Sequence, residues 1–155
     1  MAAINGRRVW LGALIGGLVF FVWSMLTEFG LSAVIVGSGP RDVAMGNGWF
    51  LSAPRVPMAV FFTVWTLSLF AIAWGLAWLY AHLRASAGAG PATAARLGLV
   101  VGLAAGFPLE FAHAMFQPLS PRYAVMWMLE MGVGCVLAAL AAGWMYRDAP
   151  AGAAG

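Results

Sequence analysis

Four side chains in this 155-residue sequence combine chemically capable types with suggestive spacing: Glu28, Glu110, His113 and Glu130. Each lies inside a long apolar stretch. A charge at the centre of a membrane helix costs at least about 2.5–3.5 kcal/mol on insertion scales, so such groups face protein or a polar cavity rather than lipid tails. Glu110-x-x-His113 sets a carboxylate and an imidazole on one helix face, and Gln117 follows one turn later. Two more carboxylates, Glu28 and Glu130, come from other apolar stretches. Carboxylate and imidazole are metal-ligand types. Carboxylate-bridged di-iron bundles use two Glu-x-x-His motifs and two single glutamates. This chain has one motif and two singles, so the pattern fits at most one metal ion held by Glu28, Glu110, His113 and Glu130, or a site shared across a dimer. The same groups suit proton or cation movement. They also suit a pocket for a small polar ligand, or interhelical hydrogen bonds of roughly 0.6 kcal/mol each. No nucleophile–base pair accompanies them, which points away from an enzyme.

The positioning elements are read from periodicity. Gly98, Gly102 and Gly106 recur every fourth residue and lead to Glu110. Gly12, Gly16, Ser24 and Glu28 keep the same step, interrupted by Phe20. Glu130, Gly134, Ala138 and Ala142 make a third such row. A four-residue step stays on one helix face, and small-residue rows in lipid mark the side where helices pack. Three rows of this kind each lead to a glutamate.

The apolar stretches are long enough to span a bilayer, which needs about 20 residues. They predict helices over about 9–36, 57–83, 93–117 and 122–146, with 148–155 as a disordered tail. The expected fold is all-α, an integral membrane four-helix antiparallel bundle. In that arrangement Glu28, Glu110 and Glu130 each fall about 10–12 Å from the outer end of their helices, at a common level in the outer half of the bilayer. Thr63 and Thr66 of the second helix come to a similar level and are expected to support the cluster. Pro108 removes an amide donor and would kink the third helix beside the carboxylates.

Composition agrees. The chain is 63% hydrophobic and 8% charged, against about 25% charged in soluble domains. All eight basic residues are arginines, scattered singly or in one pair. That pattern excludes nucleic acid as the expected partner and names the lipid bilayer instead. Arg7, Arg8, Arg84, Arg96 and Arg147 flank one side, and Arg41, Arg55 and Arg122 the other. The richer side is expected in the cytoplasm, with both termini. The single Cys135 permits no internal disulfide. The rival expectation is a non-catalytic subunit or assembly factor of a larger membrane complex, or a homo-oligomer, packing through a small-residue face that includes Gly6 and Gly17.

In Phe21-Val-Trp-Ser24, Gly106-Phe-Pro-Leu109 and Leu129-Glu-Met-Gly-Val-Gly134 the chain resembles small four-span bacterial inner-membrane proteins. The resemblance implies a multi-pass location in that membrane and brings no activity with it.

Overall fold

A computed structural model describes residues 4–35, 57–116 and 121–146, apart from the side chains of residues 58, 113–116 and 121. Every regular element among them is helical. The first helix, α1, runs Gly6–Met25, passes through a π-helical segment at Leu26–Leu31 and ends in the short turn Ser32–Ile35. Three more follow: α2 (Met58–Ala87), α3 (Pro91–Phe116) and α4 (Pro121–Met145). All four are long and apolar enough to cross a membrane.

The helix ends differ from the sequence expectation for local reasons. Asn5 caps α1 by accepting from the Arg8 amide at 3.2 Å, so the helix begins at Gly6 rather than residue 9. α2 continues past residue 83 to Ala87, because nothing before Gly88 disfavours helix; Gly88 stops it at φ +87°, a backbone state natural to glycine. Pro91 opens α3, where its missing amide costs nothing. α3 also carries on through Pro108. The stretch 37–56, the residues 117–120 with Gln117, and the expected tail at 148–155 lie outside the described residues.

α4 is the hub. It packs against α1, α2 and α3, whereas among the described residues no Cα of α1 comes within 8 Å of one in α3. Glycine explains why the backbones can meet. A Cβ added to Gly98 would stand 2.6 Å from the Cys135 carbonyl oxygen and 2.6 Å from the Val136 Cα. One added to Gly102 would stand 2.9 Å from the Gly132 Cα. On the other side of α4, Gly12 faces Ala142 and Gly16 faces Ala138. The interruption at Phe20 is part of the same register: its ring lies over Gly134, four residues back from Ala138. The next step pairs Ser24 with Glu130. Each advance of four residues along α1 is matched by a retreat of four along α4. The small partner changes helix at Phe20, so a large side chain is accommodated and completely buried.

The outward faces are apolar. Trp10, Leu14, Leu18, Val22 and Leu26 form an exposed row at a four-residue step along α1, and Leu99, Val100, Leu103, Phe107 and Phe111 are exposed on α3. The packed core fills the half of the molecule near Tyr80 and Tyr146, where Leu69, Ala73, Leu76, Cys135, Ala138 and Ala142 are buried. At that end Tyr146 accepts from the Asn5 amide at 3.1 Å, and Tyr80 accepts from the Gly90 amide at 3.0 Å. The Arg84 guanidinium lies 5.0 Å from the Tyr146 ring centre and 6.0 Å from that of Tyr80. These contacts join the start of α1, the α2–α3 turn and the end of α4.

Gly98→Ala is expected to cost about 1–3 kcal/mol, because the added methyl meets α4 backbone that must shift. Gly75→Ala, where nothing lies within 4 Å of the added carbon, should cost nothing. Thermal unfolding of both variants in one detergent compares them.

Candidate functional site

The π-helical segment holds Glu28. The Ser32 amide bonds the Thr27 carbonyl, five residues back, in place of the usual four. Thr27 also turns its hydroxyl to the Trp23 carbonyl at 2.9 Å, a bond of the kind that bends helices. Gly30, with its low helix preference, sits inside the same segment. The extra residue in the turn rotates the remainder of the helix, and such turns are frequent at functional sites. Beyond it the chain parts from α2: no Cα of Leu26–Ile35 comes within 8 Å of α2, although the segment stays against α4. Before it, the two helices are held by Gly17 under the Phe70 ring and by the Phe21 and Trp65 rings at 5.9 Å.

That divergence leaves a cavity of about 650 Å³. Met25, Glu28 and Phe29 line it from α1, and Glu110 lines it from α3. α4 contributes Trp127, Glu130 and Met131. The α2 wall is Phe61, Phe62, Trp65, Ser68, Leu69 and Ile72. The three carboxylates named from the sequence thus border one space, each from a different helix.

Their surroundings differ. Glu130 is 4% exposed. The Ser24 hydroxyl donates to its Oε1, and the Trp23 indole donates to its backbone carbonyl at 3.1 Å. Glu28 is half-buried and accepts from the Trp127 indole at 2.9 Å. Glu110 is half-buried. Glu28 and Glu110 both border the same cavity as Glu130.

Other expected members fare differently. Thr63 and Thr66 do not line the cavity. Thr63 is exposed and donates to the Ala59 carbonyl at 2.8 Å, within its own helix. α2 turns aromatic rings to the space instead, with Ser68 as its polar member. His113 lies on α3 one turn past Glu110, with its side chain outside the described residues, and Gln117 is wholly outside them. Among the described residues, no three His, Cys, Asp or Glu groups stand close enough to hold a metal ion.

The sequence reading missed Trp127, Trp23 and Trp65. A signal existed for the first: a buried indole needs an acceptor, and Trp127 precedes Glu130 by three residues, one helical turn. No protein-family model, curated protein or solved structure matches this chain.

Ser24→Ala removes a donor from buried Glu130 and should destabilise the fold by about 1–3 kcal/mol. Thr63→Val, at an exposed position, should change stability by less than about 0.5 kcal/mol. Unfolding of the two variants under matched lipid conditions separates a supporting hydroxyl from an incidental one.

Proposed function

We propose that this chain is a multi-pass protein of the bacterial inner membrane, an antiparallel four-helix bundle with both termini in the cytoplasm. Its cavity takes up a proton, a cation or a small polar ligand at Glu28, Glu110 and Glu130. The observation that carries this reading is the convergence of three carboxylates from three apolar helices on one space. Charged groups inside apolar helices are costly enough that a shared cavity argues for use. In this reading His113, one turn beyond Glu110 on α3, continues the polar path towards the outer surface.

The membrane setting draws support from the outward faces. A helix of a soluble protein turns polar residues outward, whereas α1 presents Trp10, Leu14, Leu18, Val22 and Leu26. The cavity reading is favoured over a purely structural subunit by the use made of the small-residue rows. Gly12 and Gly16 are taken by α4, and Gly17 by Phe70.

Two measurements test the proposal. Fusions at the C-terminus should give a fluorescent green fluorescent protein and an inactive alkaline phosphatase; the reverse pattern would place that terminus outside. Proteoliposomes loaded with a pH-sensitive dye or a cation indicator should show uptake above protein-free liposomes under an imposed gradient. Folded Glu110→Gln and Glu130→Gln variants should lose most of it. Uptake no greater than in empty liposomes, with both variants indistinguishable from the parent, overturns the transport reading.

A further inference from the structure

The cavity is far larger than a proton or a bare ion requires. Its volume of about 650 Å³ falls within the roughly 300–1,000 Å³ range of small-molecule pockets. Most of its wall is apolar, and much of that is aromatic: Phe29, Phe61, Phe62, Trp65 and Trp127. The polar groups are few and acidic, and among the described residues no basic side chain lines it. Ring faces attract a cation through the quadrupole, more strongly when water is excluded, and aromatic cages recognise alkylated ammonium groups. Carboxylates beside such rings add a charge of the right sign.

The mouth has its own character. Phe29, Phe61 and Phe62 are 65%, 49% and 39% exposed. They stand where the end of α1 separates from α2. The exposed rings at the mouth stand beside half-buried Glu28, and the buried Glu130 lies on α4.

We infer that the cavity takes an organic cation, an ammonium group carried on an apolar body, admitted between α1 and α2. This rests on the proposed ligand-binding role of the three glutamates and names the class of ligand. The ammonium seats among Glu28, Glu130 and the Trp65 and Trp127 rings, and the apolar body lies against Phe61 and Phe62.

The test uses the full chain in phosphatidylglycerol nanodiscs, titrated calorimetrically with benzyltributylammonium and corrected for empty discs. Saturable binding near one per chain is expected. Glu28→Gln, Glu130→Gln and Trp65→Leu, each checked for parental helicity and monodispersity, should weaken it by about tenfold or more, the change set by 1.4 kcal/mol. Glu28→Asp should retain most of it. Discs supplemented with phosphatidylethanolamine identify the natural source. Unchanged affinity assigns a free amine, and weakened affinity assigns an aminolipid headgroup that competes. Binding no greater than to empty discs, or equal affinity in folded Gln variants, overturns the inference. If Glu130→Gln still abolishes proton or inorganic-cation uptake in that case, the broader reading survives; if uptake is also absent, both fall.

Discussion

Where α3 crosses α4, glycine lets one backbone rest directly on another, and the same happens on the opposite side where α1 meets α4. Lipid tails are as apolar as leucine, so helices in that solvent gain little from burying hydrocarbon and must associate by close contact and hydrogen bonds. Gly98 and Gly102 leave no room for a methyl against Cys135, Val136 and Gly132. Gly16 does the same against Ala138, and a methyl at Gly12 would crowd Ala142. α4 is thereby fixed between two neighbours at a definite register. Once register is fixed, so is the height at which Ser24 meets Glu130 and Trp127 meets Glu28. The polar layer follows from the small-residue layer.

The cavity has the opposite origin. It exists where close packing stops. The π-helical segment carries the end of α1 away from α2 while α4 keeps its hold, and rings rather than small residues occupy the resulting gap. In the tyrosine half the helices meet largely through alanine and glycine, whereas the cavity in the other half is lined chiefly by tryptophan, phenylalanine and glutamate. The contrast separates a rigid support from a space with chemical potential for recognition.

Much of this was legible in the residues, for a physical reason. A four-residue step marks a helix face whatever the fold, so the rows ending at Glu28, Glu110 and Glu130 could be seen without coordinates. Rise per residue then put the three carboxylates at one level. The same arithmetic cannot supply direction around an evenly apolar helix. On α2 the small-residue row Ala73, Ala77 and Ala81 continues at the same step through Leu69 to Trp65 and Phe61, which border the cavity, so Thr63 and Thr66, matched by height alone, lie off that side. Phe20 looked like a flaw in its row because the compensating glycine lies on another helix. The π-helical segment depends on a competition between backbone and side-chain hydrogen bonds around Thr27, which spacing does not reveal.

The tyrosine end gives the molecule a fixed axle. Asn5, Gly90 and Tyr146 are tethered there by hydrogen bonds, and Arg84 spans both rings. At the opposite end α1 and α2 are already apart. A tilt of α1 against α2 about the tethered end, like the blades of tweezers about their join, would carry its larger displacement at Phe29 and Phe61.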